Sequence, residues 1–297
     1  MDERFTGLGV AMVTPFRENG QIDYAGLEKL IEHQITGGVD YVVTMGTTGE
    51  SVTLTKAEKK QLLAETIGFV RNRVPIVLGV GGNDTAEVVD ALGHYEMDGV
   101  DAILSVSPYY NKPTQEGIYQ HYKAIAQVAL RPIILYNVPG RTGSNITADT
   151  TLRLARDFEN IIAIKEASAN LDQMGRILKH KPEDFMLISG DDALTLPIMA
   201  MGGVGVISVV GNALPHEFGA LVHAAMEGDL ATARKEHLRL IEVIDLLFAE
   251  GNPGGIKYVL KELGICGDTM RLPLVNISEA TEKKLYRALA DAEVVKL

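Results

Sequence analysis

The sequence predicts an α/β fold, a (β/α)8 TIM barrel with a small C-terminal helical domain. Three observations carry this. Eight short β-rich runs recur between residues 7 and 212, punctuated by Gly, Pro, Ser or Asn. Their apolar stretches are near-continuous rather than alternating, which suits a parallel sheet covered on its outer face. Segments with helix-start signals lie between them. A doubly wound open sheet shares this alternation and stays open as the competing architecture.

In order, the runs are "GLGVAMVTPF" (7–16), "YVVTMG" (41–46), "PIVLGVG" (75–81) and "AILSVSP" (102–108). Then come "PIILYNVP" (132–139), "IIAIKEAS" (161–168), "FMLISGDD" (185–192) and "VGVISVVGN" (204–212). Thr55 to Glu58 and Asp84 to Glu87 both have the capping-box spacing. Asp23 and Thr114 are expected N-caps, and Gly37 a helix stop. After about residue 228 the strand signal disappears. Residues 229–249 and 278–292 read as amphipathic helices, with a shorter one near 254–263. The expected division is a catalytic barrel over residues 1–228 and a helical domain over 229–297.

Composition narrows the function. Lys and Arg number 28 against 39 Asp and Glu, a net charge of -11, and no basic cluster offsets it. That argues against nucleic acid. Cys266 is the one cysteine, so an intrachain disulfide and a cysteine-based zinc site are excluded. The seven histidines show no H-x-H or H-E-x-x-H spacing, and no metal is expected. The start, "MDERFTGLGVAMVTPF", lacks the long apolar run of a signal peptide, and no stretch has the length of a membrane helix. A cytoplasmic location is the expectation.

In such a barrel the active site forms where the strands end. Those ends hold Thr47 and Thr48 in "GTTGES", Tyr109 and Tyr110 in "SPYYN", and Tyr136 and Arg141 in "YNVPGRTG". They also hold Lys165, the "SGDD" turn, Ile207 and Asn212. Lys165 is the most informative, because it closes the apolar run Ile161 to Ile164. A free lysine has a pKa of ~10.4, so about one in 2,500 is neutral at pH 7. Burial disfavours the ammonium, and a neutral amine attacks carbonyls to form a Schiff base. On this strand alone a second reading is open: a lysine that pairs with a carboxylate or snorkels to the rim. Tyr136, one strand back, could relay protons, or could be a core aromatic with a satisfied hydroxyl. Thr47 could link tyrosines in a proton chain, or serve the turn. Arg141, in a Pro/Gly loop, could clamp a carboxylate, or be solvated.

Other signals carry less. "GVGGND" (79–84) lacks the third glycine of a dinucleotide loop. Asp191 and Asp192 suit a cap on the next helix better than a metal. Gly202, Gly203 and Gly205 suit a tight turn better than a phosphate cradle.

Together, "GTTGES" and "YNVPGRTG…IIAIKEAS" resemble the dihydrodipicolinate synthase family, among the pyruvate-dependent class I aldolases and lyases. The likeness covers essentially the whole chain. It implies a lyase in lysine and diaminopimelate biosynthesis that condenses pyruvate with L-aspartate 4-semialdehyde, without a cofactor. Lys165 would form the Schiff base. Tyr136, Thr47 and Tyr110 would relay protons, with Tyr110 reaching in from a neighbouring subunit of a homotetramer. Thr48 would hold the pyruvate carboxylate and Arg141 that of the semialdehyde, while Gly190 and Ile207 would line the pocket. N-acetylneuraminate lyases are similar over the same length, but usually carry G-S-T-G-E and lack this arginine. 2-Keto-3-deoxygluconate aldolases and a non-catalytic 2-oxo-acid-binding member are the remaining alternatives. The resemblance also implies a regulatory L-lysine site at Ser51, Lys56, Asn83, Glu87 and Tyr109. Lys56 and Lys59 stand where strongly regulated relatives often carry histidines, so inhibition is expected to be absent or weak.

Overall fold

The computed structural model describes residues 2–294. Eight parallel strands pair in chain order, and the last closes on the first. They are β1 (Gly7–Ala11), β2 (Tyr41–Thr44), β3 (Ile76–Gly79), β4 (Ala102–Val106), β5 (Ile133–Asn137), β6 (Ile161–Glu166), β7 (Met186–Ser189) and β8 (Gly205–Ser208). The closed barrel rules out the open sheet. Each strand is shorter than its apolar run. After β1, for example, Met12 to Phe16 stay buried, and Phe16 bridges to Ile22.

The connecting helices are α1 (Tyr24–Thr36), α2 (Lys56–Val70), α3 (Thr85–His94), α4 (Gln115–Val128), α5 (Pro139–Thr142), α6 (Ala148–Asp157), α7 (Leu171–His180), α8 (Thr195–Ala200) and α9 (Pro215–Met226). Thr55 and Glu58 make the full capping box of α2. Thr114 accepts from the N–H of Gly117 to cap α4. Asp84 to Glu87 is not a reciprocal box: Asp84 accepts from the N–H of Ala86, and Glu87 faces the cavity described below. Asp23 precedes α1 without a side-chain cap bond; its carboxylate lies 3.8 Å from Arg17 instead. Gly37 closes α1 in a right-handed conformation, and Gly38 takes the left-handed φ of +88°.

Side chains alternate between two cores. Ala11, Val43, Val77, Leu104, Ile134, Ala163, Ile188 and Ile207 fill the barrel. The other parity packs outward against the helices. Lys165 shares its parity with Ala163, so it points into the barrel. Glu166, the next residue, points outward.

Three helices follow the barrel: α10 (Leu230–Phe248), α11 (Gly254–Glu262) and α12 (Glu279–Asp291). Leu240, Val243, Ile256 and Leu285 join the same apolar cluster as the outer barrel layer. Among the described residues no helix is long and apolar enough to cross a membrane.

Candidate active site

Parallel register sets the centre of the site. Tyr136 on β5 pairs directly with Lys165 on β6, and both face inward. Lys165 is only 5% exposed. Its Nζ lies 4.5 Å from the centroid of the Tyr136 ring and, among the described residues, has no hydrogen-bond partner. Burial pushes its pKa down to about 8; the Asp192 carboxylate opposes this and the Arg141 guanidinium adds to it. At pH 7 roughly one amine in ten is then neutral, against one in 2,500 in water. The pairing and snorkelling alternatives do not describe this lysine, which has no bonded carboxylate among the described residues and is almost wholly shielded from solvent.

The Tyr136 phenol is buried, and burial raises its pKa. Arg141 and a hydrogen bond with the Thr47 side chain pull the other way. Both partners therefore favour the phenolate, which a proton relay needs transiently. Arg141 does not sit in an irregular loop: it lies on the single turn α5, directly after β5.

Thr48 is buried, and its Oγ1 accepts from Asn252 Nδ2 at 2.9 Å. With one acceptor position used, the hydroxyl proton is free to be donated elsewhere. Gly190 follows β7 and must be a glycine. A Cβ there would lie 2.8 Å from Ala167 Cβ and 3.0 Å from Lys165 Cε. Ile207 is buried on the inner face of β8.

A cavity of about 940 Å³ opens above the strand ends. Thr47, Tyr136 and Arg141 line one part of it. Ser51, Lys56, Lys59, Asn83, Glu87 and Tyr109 line its continuation. Tyr110 is not brought to this site. It is 88% exposed, with a left-handed φ of +72°, and its N–H donates to the carbonyl of Thr142 at 3.1 Å. Among the described residues no group of three His, Cys, Asp or Glu side chains could hold a metal.

The "SGDD" turn divides its two acids. Asp191 accepts from the N–H groups of Ala193 and Leu194, at the entry to α8. Asp192 does not cap that helix; it accepts from the N–H groups of Val209 and Val210 beyond β8. Gly202 and Gly203 lie in the turn before β8, whereas Gly205 opens β8 itself and pairs so closely with Gly7 on β1 that a Cβ would lie 2.1 Å from the Gly7 carbonyl oxygen.

The model of the family described as "Dihydrodipicolinate synthetase family" matches residues 4–292. The chain belongs to that family. A 4-hydroxy-tetrahydrodipicolinate synthase of Parabacteroides distasonis is 52% identical over 293 residues, which is 99% of each chain. One of Azobacteroides pseudotrichonymphae is 51% identical, over 95% of this chain and 96% of its own. The crystal structure of a dihydrodipicolinate synthase from Thermotoga maritima superposes with a TM-score of 0.96 at 39% identity, covering 98% of this chain and all of that one.

Against this family background, several residues around the site escape a reading of the sequence. Glu50 ends the "GTTGE" stretch with a left-handed φ of +51° and is fully buried. Its Oε1 lies 2.5 Å from Lys257 Nζ on α11, 207 residues away. Asn252 reaches Thr48 from the same C-terminal region. Glu166 accepts from Asn137, Gln173 and the N–H of Ser168, binding β5, β6 and α7 together behind Lys165. One signal was available for Glu50: a charged residue within a Gly- and Thr-rich loop.

Proposed function

We propose that the chain works as a 4-hydroxy-tetrahydrodipicolinate synthase, a lyase in lysine and diaminopimelate biosynthesis. It condenses pyruvate with L-aspartate 4-semialdehyde through an imine at Lys165. The observation that carries this reading is the unbonded, buried amine of Lys165 against the Tyr136 ring, with its pKa near 8.

The neutral amine adds to the keto carbon of pyruvate. Tyr136, hydrogen-bonded to Thr47, delivers the proton with which the carbinolamine oxygen leaves as water. Thr48, held by Asn252, points its hydroxyl proton at the pyruvate carboxylate. Gly190 and Ile207 shape the pocket around the new imine. Loss of a methyl proton gives the enamine, whose carbon attacks the aldehyde of the second substrate. Arg141 clamps that substrate's carboxylate with its planar fork. The amine of the semialdehyde then attacks the imine carbon, the ring closes, and the bond to Lys165 breaks.

Tyr110 completes the relay from a second subunit. Its exposure and its left-handed backbone support a role outside its own barrel, since such a conformation persists where surroundings enforce it. The dimer is then the smallest competent unit, within a homotetramer built as a dimer of dimers. The enzyme is cytoplasmic and needs no cofactor. Turnover of pyruvate with aspartate semialdehyde tests the reading. Retro-aldol cleavage of a sugar acid in place of that condensation would refute it.

A further inference from the structure

The turn after β7 holds a buried carboxyl to which the steps above give no task. Asp192 is 3% exposed. Its Oδ2 is anchored by the N–H groups of Val209 and Val210 at 2.9 and 3.3 Å. Its Oδ1 is buried, and of the groups around it only the Ser208 hydroxyl is placed to lend it a hydrogen bond. A buried carboxylate with one oxygen so weakly served is costly unless a positive charge lies near it. The same turn packs directly on Lys165, as the contact of Gly190 with the lysine stem shows. The charges acting on Lys165 are Asp192 and Arg141, with the Tyr136 phenol beside it. Around Asp192 itself stand Asp191, the Ser208 hydroxyl and the two N–H donors. Arg141 is exposed and screened, whereas Asp192 acts through a dry interior, where charge interactions are stronger.

We propose that the Asp192 carboxylate is the counter-ion of the cationic imine formed at Lys165. It acts through the lysine, as a positioning residue, and not on the substrate. The inference rests on the Lys165 imine reading above. In that step the amine and the keto carbon form a C–N bond, the C–O bond breaks, one proton is taken up and one water leaves. The product carries a positive charge on the former amine nitrogen. Burial holds the Asp192 pKa at about 6, so the carboxyl is ionised where the amine becomes neutral, near 8.

This arrangement has a pH signature that a packing role lacks. Between about 6 and 8 the free enzyme carries an ammonium and the complex an iminium, and the carboxylate favours both alike. Above 8 the free amine is neutral, and only the imine gains.

The test is Asp192→Asn, which keeps the shape and can still accept from Val209 and Val210. Imine formation is read as borohydride trapping of pyruvate against concentration and pH. The half-saturating pyruvate should be unchanged at about pH 6.5 and roughly tenfold higher at about pH 9. The midpoint of the amine titration should fall by about one unit, the same tenfold factor. Equal weakening at both pH values with an unmoved midpoint would assign Asp192 to packing and overturn the proposal. If the variant does not fold, the unsubstituted chain carries the test. The 15N resonance of its lysine imine with pyruvate should be that of a protonated imine at about pH 9, and a neutral imine there overturns the proposal. Absence of any trapped adduct on Lys165 in the unsubstituted chain overturns the underlying reading, and the proposal with it.

Discussion

Replacing Lys257 by methionine should unfasten the active-site loop from the C-terminal helices. Lys257 and Glu50 are both fully buried, with Nζ and Oε1 2.5 Å apart. The ammonium also donates to the carbonyl of Thr269 at 2.9 Å and lies 4.4 Å from the Phe16 ring centroid. Methionine matches the stem but removes the charge. Glu50 would keep one donor, the N–H of Arg271 at 3.0 Å. Breaking a buried pair by removing one partner costs about 3–5 kcal/mol, because a charge is left buried and uncompensated. That is a large share of the ~5–15 kcal/mol by which domains are stable. Urea unfolding at fixed protein concentration should therefore show a strongly lowered midpoint with an unchanged slope. Adding Glu50→Gln removes the stranded charge, and should recover roughly 2 kcal/mol of the loss. A Lys257→Met chain as stable as the parent would refute the reasoning. So would a double variant no more stable than the single one.

Gly190→Ala would force a methyl group within 3.0 Å of Lys165 Cε. We expect overpacking of about 1–3 kcal/mol and a fall in the rate of pyruvate trapping of roughly 10- to 100-fold, since displacing a reacting group by about 1 Å costs that much; unchanged trapping counts against the pocket geometry. Arg141→Ala should leave pyruvate trapping largely intact and lower kcat/KM for aspartate semialdehyde about 30- to 1,000-fold, the equivalent of roughly 2–4 kcal/mol. Loss of pyruvate binding with intact semialdehyde affinity would show Arg141 misassigned. L-Lysine should inhibit weakly or not at all, because Lys56 and Lys59 line the same cavity as Glu87 and repel a cationic ligand. Half-inhibition below about 0.3 mM at saturating pyruvate, roughly -5 kcal/mol of binding, would contradict this.

The barrel was legible because its strands announce themselves by continuous apolar runs and its helices by caps. Lys165 was legible for a related reason: a charge closing such a run is an exception that demands a cause. Its inward direction and its pairing with Tyr136 needed the register of β5 and β6, which the sequence does not state. What stayed hidden depends on distant pairing. Glu50 and Lys257 are ordinary charged residues until the fold brings them together across 207 positions. The same holds for Asn252 and Thr48, 204 positions apart. Local spacing points Asp192 at the next helix, whereas closure of the barrel offers it the N–H groups beyond β8. The Asp84 to Glu87 spacing failed for a simpler reason: a capping box needs the glutamate to fold back, and Glu87 turns to the cavity.

The central claim is that Lys165 is the nucleophile, and covalent capture tests it most directly. Borohydride added with pyruvate should leave a reduced pyruvyl group on the peptide bearing Lys165, read by mass. Lys165→Arg should carry no adduct, because a guanidinium stays protonated above pKa ~12 and cannot attack. An adduct on another lysine, with Lys165 unmodified, would contradict the account.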